Sequence, residues 1–107
     1  MSVNSNDGYY EVFWPRTPRQ TGVKPLAQRL KTLEGKTVVQ LWDFIFRGDE
    51  VFAHLEEGIK TRFPGVRFIS WREFGSIHGD KEKQVLAGLE KRFNELGVDA
   101  AICGMAC

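Results

Sequence analysis

The sequence has few of the residues that build metal centres and disulfide frameworks, with two cysteines and two histidines among its 107 residues. Tetrahedral zinc needs four ligands, and Cys103 and Cys107 are distant in the chain from His54 and His78, so we expect no metal site. The first residues lack the basic and apolar regions of a secretory signal. Together with two closely spaced cysteines, this favours free thiols in a reducing compartment, and we expect a cytoplasmic protein.

Charge and hydropathy exclude further classes of protein. The formal net charge is +1 and no block of lysine or arginine dominates, which argues against non-specific nucleic-acid binding. No apolar run approaches the length of about 20 residues that spans a bilayer, so no membrane partner is expected. The glycine-rich motifs of dinucleotide and nucleoside-triphosphate sites are missing, and the sequence therefore indicates no cofactor. With 42% apolar and 27% charged residues, the composition is typical of one globular domain.

Residues 1–22 predict a tail and an arm. Residues 1–8 are polar, segment 9–14 is aromatic-rich with strand propensity, and the prolines and glycine of segment 15–22 break helix and strand alike. Segment 9–14 either folds back on its own core or docks on a partner chain, and the sequence leaves both open. We expect residues 23–107 to form a single α/β domain that a partner chain completes.

From residue 25 onward, helical and strand patterns alternate. Three leucines at helical spacing predict a helix over residues 25–33. The predicted strands are residues 36–43, residues 66–71 and a third strand that begins at Val98. Between them lie two amphipathic helices, predicted to begin after the N-cap residues Asp49 and Asp80.

Two successive strand–helix–strand units predict parallel strands. Right-handed crossovers with one reversal give the strand order 2-1-3, the first half of a three-layer, flavodoxin-like sheet with crossover helices and an extended N-terminal arm. The loop after Asp43 and the turn at 104–107 should then face each other across a crevice. The third strand would be an apolar edge, which we expect a partner to cover.

The two cysteines differ in their predicted surroundings. Cys107 follows the third strand in a loop, where a thiol can reach solvent and the N-terminus of a following helix would make it nucleophilic. Cys103 lies within the strand pattern, and we expect a small apolar side chain in the core.

Three further side chains are predicted to reach the crevice. Asp43 could orient a substrate or act as a general base, and Arg47 could hold a carboxylate or phosphate. An ordinary surface ion pair is the alternative for both. His78 could serve as the base for a thiol, although loop histidines are commonly inert. The predicted catalytic residues are Asp43, His78 and Cys107, and the predicted substrate-binding residues are Arg47, Gly48, Ser76 and Gly104.

Three short segments resemble the UGSC-type (seleno)protein family, and the likeness spans about residues 15–107. They are Pro-Arg-Thr-Pro-Arg-Gln at 15–20, Leu-Glu-Gly-Lys-Thr at 33–37 and Gly-Val-Asp-Ala-Ala-Ile-Cys-Gly at 97–104. The resemblance implies a flavodoxin-like domain in which selenocysteine or cysteine, followed by Gly-Ser-Cys, comes a few residues after the third strand. By that comparison the chain ends just before the signature, as a selenocysteine codon read as a stop, a cleavage or a split gene would leave it.

The resemblance fails in the loop after the first strand. Family members usually have Asn-Gly-Lys-Pro-Asn there, whereas residues 44–48 of this chain are Phe-Ile-Phe-Arg-Gly. The resemblance therefore does not imply a shared substrate.

Three functions are compatible with these observations. The first, which we expect, is the N-terminal subunit or fragment of a thiol- or selenol-dependent enzyme that shares its site with a second polypeptide. Its chemistry on a small-molecule substrate would be redox chemistry or nucleophilic attack by a thiolate. The second is a non-catalytic interaction subunit of a hetero-oligomer, and the third is a self-contained, flavodoxin-like domain that binds a small ligand.

Overall fold

Three strands and two helices make up most of the regular structure in the computed structural model, which describes residues 8–18 and 21–106. In chain order they are β1 (Thr37–Trp42), α1 (Gly48–Arg62), β2 (Arg67–Ile69), α2 (Glu82–Leu96) and β3 (Ala100–Gly104). A 3₁₀ turn at Trp71–Glu73 lies between β2 and α2. Within the described residues, neither helix is long and apolar enough to cross a membrane.

The predicted parallel order is confirmed, because the strands form one sheet in the order β2-β1-β3. β1 pairs in parallel with both neighbours, so Val38 lies between Phe68 and Ala100. As the central strand, β1 is buried along its whole length. Its apolar, β-branched sequence suits a strand that is covered on both faces.

The two helices contact side chains from opposite faces of β1. Val39 and Leu41 pack with Phe74 and Ile77 in a core against which side chains of α2 are placed. Gln40 points the other way, since successive side chains of a strand alternate between faces. Its Nε2 donates to Glu56 Oε2 of α1 at 3.2 Å. The α/β architecture therefore follows from the alternation along β1.

A reciprocal pair of hydrogen bonds sets the register between β1 and β3. Thr37 N donates to Asp99 Oδ2 at 2.9 Å, and Asp99 N donates to Thr37 O at 2.9 Å. The Thr37 hydroxyl also accepts from Arg67 Nη2 at 3.0 Å, which joins β2 to the same point. A slip of one residue in the pairing would move every β3 side chain to the opposite face of the sheet. The hydrogen bonds of Thr37 therefore fix which residues of β3 lie on each face of the sheet.

The predicted helix over residues 25–33 is wrong, because that segment forms no helix. Leu26 is 85% exposed and Leu30 is 40% exposed. A helix this short is marginal in water unless its apolar stripe is buried. In this structure the leucines do not enter the core, so their spacing has no packing to support it.

The predicted N-caps are also wrong. α1 begins at Gly48, which places Arg47 at the cap and Asp49 in the first turn, and α2 begins at Glu82, which places Lys81 at the cap. Acidic residues are nevertheless favourable in a first turn because the helix dipole is positive there. The end of α2 is regular, since Gly97 adopts a left-handed φ of 65° and its N–H donates to carbonyl groups of the last turn.

The aromatic segment 9–14 forms no strand and does not fold back on the core. Its large side chains are exposed, from 78% in Trp14 to 99% in Phe13. Docking of this segment on a partner therefore stays a prediction.

We predict that Gly48→Ala destabilises the chain, whereas Gly58→Ala does not. A Cβ at Gly48 would lie 2.6 Å from Trp42 Cε2, and nothing lies within 4 Å of a Cβ at Gly58. We expect Gly48→Ala to lower the free energy of unfolding by about 1–3 kcal/mol through overpacking. In the same helix, Gly58→Ala should raise it by about 0.5–1 kcal/mol. Urea unfolding measures both, and equal effects would contradict the close approach of α1 to Trp42.

Candidate active site at the carboxyl edge of the sheet

The loops that follow β1 and β3 meet at the carboxyl edge of the sheet, where the sequence places the crevice. Asp43 N donates to Gly104 O at 3.3 Å, and Ala106 N donates to Asp43 Oδ2 at 2.7 Å. The structure thus joins the residue after β1 to the residues after β3. The crevice walls are in contact at this point.

Asp43 is the most connected of the predicted site residues. It is 3% exposed, and its second carboxylate oxygen, Oδ1, accepts from Ile45 N at 3.2 Å. A buried carboxylate is tolerated when hydrogen bonds replace its hydration, and both oxygens have such bonds here. This arrangement favours a carboxylate that positions the two loops over one that abstracts a proton.

Ser76 attaches the loop after β2 to the same point. Its hydroxyl lies 3.2 Å from Asp43 O and 2.7 Å from His78 O, and it accepts from His78 N at 3.2 Å. A hydroxyl has one proton, so it donates to one of these carbonyl groups at a time. Ile77 N also donates to Trp42 O at 3.2 Å, which holds this loop against the end of β1.

The side chains of Arg47 and His78 are exposed, and each lies near a glutamate. The Arg47 side chain is 85% exposed, and its Nη1 lies 3.8 Å from Glu50 Oε2. His78 is exposed, with Nδ1 3.9 Å from Glu82 Oε2. Exposed pairs of this kind contribute little to stability, so both side chains can turn toward a ligand.

The two predicted substrate-binding glycines allow aromatic rings to pack closely. A Cβ at Gly104 would lie 3.0 Å from both Phe46 Cζ and Phe52 Cζ. A Cβ at Gly48 would likewise lie 2.6 Å from Trp42 Cε2. Both glycines therefore shape the wall of the crevice.

An aromatic cluster beside Asp43 was not predicted from the sequence. We define it as Trp42, Phe44, Phe46 and Trp71. The ring centroid of Trp42 lies 4.7 Å from those of Phe44 and Trp71 and 6.2 Å from that of Phe46. The signal that could have indicated it is the Phe-Ile-Phe run in a loop, where polar residues are usual.

Phe44 holds a strained position in this cluster. Its φ of 65° is unusual for a residue other than glycine. Such strain persists when the surroundings impose it, and it occurs often at binding sites. Beside Phe44, a depression of about 450 Å³ is also lined by Ser76 and His78, a volume suited to a small ligand.

The UGSC family model matches residues 11–107, which is most of the chain. The chain belongs to the UGSC family. Comparison with curated proteins and with solved structures gave no match to this chain.

The expectation that Cys103 of this UGSC-family chain lies in the core is wrong, because the residue is exposed. Cys103 pairs with Leu41 across the β1–β3 ladder. The side chains of α2 pack against Leu41 and the rest of that core, whereas β3 is one of the two outer strands. A strand pattern predicts burial only where a neighbouring layer extends over it.

The surroundings of Cys103 keep its thiol protonated. Partial burial of the thiol, and then the negative charge of Asp43, raise the pKa of Cys103 above its ordinary value of 9.0. The nucleophile in cysteine chemistry is the thiolate, so the raised pKa lowers the reactivity of Cys103 at neutral pH.

Cys107 lies outside the described residues, and its catalytic role stays a prediction. Within residues 8–18 and 21–106, no group of three or more histidine, cysteine, aspartate or glutamate side chains is placed to hold a metal ion.

We predict that Asp43→Asn speeds the alkylation of Cys103 by iodoacetamide. Loss of the negative charge lowers the pKa of the Cys103 thiol, so more thiolate is present at a given mildly alkaline pH. The alkylation rate of Cys103 at that pH should therefore rise above the wild-type rate. Peptide mass spectrometry separates labelling of Cys103 from that of Cys107.

The control for this prediction is Asp80→Asn, which removes an exposed charge from the rim. In the wild-type chain, the alkylation rate of Cys103 should rise with pH until the pH passes the raised pKa. Equal rates in all three proteins, with unchanged urea midpoints, would show that Asp43 does not act on this thiol.

Proposed function

We propose that this chain is the N-terminal subunit or fragment of a thiol- or selenol-dependent enzyme, and that its site is shared with a second polypeptide. The observation that carries the proposal is the apolar surface beside β3. The central strand β1 is buried at every residue, whereas β3 alternates between half-buried and exposed residues. Charged or proline residues usually protect an open edge, and β3 has neither; residues 26–30 line a depression together with Ala100 and Ala101 but form no strand on this edge.

The orientation of α1 extends this surface beyond the sheet. Lys60 Nζ lies 5.8 Å from the ring centroid of Phe68 in β2, so the Lys60 side of the helix faces β2. Leu55 is about 140° away around the helix, on the side of β3. Leu55 and Val51 are 40% and 43% exposed. A further strand paired with β3 would lie beneath these side chains and cover them.

Most side chains of β3 are small, which leaves room for a further strand to pair with it. Ala101 and Cys103 are exposed on one face, and the edge leads directly into the crevice. In this proposal the second polypeptide pairs with β3 and extends the sheet into a three-layer, flavodoxin-like fold. The protein is then a hetero-oligomer in which the second polypeptide covers apolar side chains that are exposed in the isolated chain.

The Asp43–Ala106 hydrogen bond supports a catalytic role for the shared crevice. It anchors the backbone one residue before Cys107. Family resemblance implies a selenocysteine or cysteine followed by Gly-Ser-Cys near this point, and we propose that the second polypeptide supplies it. In this proposal Cys107 and His78 take part in catalysis with that selenocysteine or cysteine, and Arg47 binds the substrate.

The proposed chemistry is redox chemistry or nucleophilic attack. In the redox case, two thiols lose two protons and two electrons to form a disulfide, and the substrate accepts the electrons. In the nucleophilic case, a thiolate or selenolate forms a bond to an electrophilic substrate atom, and a leaving group departs with its electron pair. Both need reduced thiols, which a cytoplasmic location provides.

A non-catalytic interaction subunit is the second candidate, and the exposed segment 9–14 favours it. Phe13, at 99% exposure, is unusual for a large apolar side chain. In this alternative the arm and the β3 edge are the binding surfaces, and the thiols have structural roles.

We predict that the chain forms a one-to-one complex with a polypeptide that begins at the Cys-Gly-Ser-Cys signature of a UGSC-family protein and contains the strands after it. Leu55→Lys should weaken the complex by at least about tenfold, because a charge would be buried without a partner. The matched control is Ala53→Lys, at an exposed position on the Lys60 side of α1. Size-exclusion chromatography with light scattering measures both.

Two results would contradict this proposal. A well-behaved monomer that ignores the added polypeptide would favour a self-contained ligand-binding domain. In an intact complex, iodoacetamide that leaves Cys107 unlabelled at neutral pH would remove Cys107 from the catalytic mechanism and favour the interaction subunit.

A further inference from the structure

Two backbone N–H groups in the first turn of α1, those of Asp49 and Glu50, have no acceptor among the described residues. Gly48 N donates to Phe46 O at 2.7 Å, and Val51 N donates to Arg47 O at 3.1 Å. Between them, the amides of Asp49 and Glu50 have no acceptor among the described residues, and no side chain there caps the helix. The end of a helix carries a partial positive charge, which attracts anions.

A buried donor beside this helix end points to a ligand independently. Trp42 is 9% exposed, and its Nε1 is buried without a hydrogen-bond partner among the residues that the structure describes. The pyrrole edge of the indole faces Gly48, the first residue of α1, since a Cβ there would meet Nε1 and its two neighbouring ring atoms. An unpaired buried N–H is costly, and an incoming acceptor would relieve that cost.

Charged side chains around this point act in both directions. Arg47 stands at the cap of α1 and its guanidinium group is exposed, so it can reach an anion at the helix end. Asp49 and Glu50 lie in the same turn and oppose an anion. Glu50 Oε2 lies 3.8 Å from Arg47 Nη1 and offsets part of that charge. One positive and two negative side chains leave this turn net negative, so binding of an anion depends on the unpaired N–H donors and we expect a modest affinity.

We propose that the N-terminus of α1, together with Trp42 Nε1 and Arg47, binds the anionic oxygen group of the substrate, a carboxylate or a phosphate. Trp42 Nε1 has almost no exposed surface, so the ligand displaces part of the loop between β1 and α1. Phe44 and Ile45 in that loop are each 47% exposed. This inference rests on the proposed function only in taking the ligand to be the substrate.

The test is a titration of the ¹⁵N-labelled full chain with inorganic phosphate and, separately, with acetate, followed by ¹H–¹⁵N correlation spectra. We expect saturable shifts of the Trp42 indole N–H and of the Asp49 and Glu50 amides, in the millimolar range. The Trp14 indole, on the exposed arm, is the internal control. Saturation by phosphate identifies a phosphate site, and saturation by acetate identifies a carboxylate site. Failure of both anions to saturate these signals overturns the proposal.

Variants separate the three donors. Arg47→Gln should weaken binding by about tenfold, whereas Arg62→Gln, at the other end of α1, should leave it unchanged. Trp42→Phe keeps a ring and removes the N–H, so it should also weaken binding. Asp49→Asn should tighten binding several-fold because it removes an opposing charge. Unchanged affinity in Arg47→Gln and Asp49→Asn would overturn the site even if Trp42→Phe fails to fold.

The titration needs no second polypeptide and no reactive thiol. Loss of anion binding would therefore leave the shared-site proposal standing. Likewise, failure to form the complex would leave a saturable anion site standing.

Discussion

The pairing of β1 on both edges is the constraint on which the rest of the structure depends. Because β2 and β3 run parallel to it, their carboxyl ends meet at one edge of the sheet, where α/β folds bind their ligands. A central strand of this kind is covered on both faces, and β1 is buried from end to end. Gln40 is a polar side chain inside it, and Glu56 of α1 satisfies its amide. The helices are thus arranged by what β1 presents on each face.

At the carboxyl edge, hydrogen bonds to Asp43 hold the loops that follow the strands in fixed positions. Its carboxylate accepts amides from its own loop and from the turn after β3, and its carbonyl accepts from Ser76. One buried residue therefore joins three loops. The aromatic cluster packs beside it, so a polar anchor and an apolar wall stand next to each other. This combination is typical of small-molecule sites, in which a few placed polar groups orient a ligand against apolar side chains.

Much of the fold could be predicted because it depends on short-range patterns. Apolar runs separated by amphipathic helices imply parallel strands, and right-handed crossovers then imply the order β2-β1-β3. The same reasoning failed where burial depends on a neighbouring layer. Leu26 has helical spacing without a surface to pack on, and Cys103 has a strand pattern on an outer strand. The periodicity of apolar residues shows which side chains a segment can bury, whereas the neighbouring layers of the fold decide which of them are buried.

The amino-acid sequence by itself determined the order of the elements from β1 onward, the parallel sheet, the family resemblance and the meeting of the residues after β1 with those after β3. Only the tertiary structure decided that the two oxygens of Asp43 accept hydrogen bonds, that Arg47 and His78 are exposed, and that Trp42 Nε1 has no partner among the described residues. The bond between Ala106 and Asp43 joins residues 63 positions apart. Local periodicity carries no information on distances of that kind, because they are set when separate strands and helices pack together.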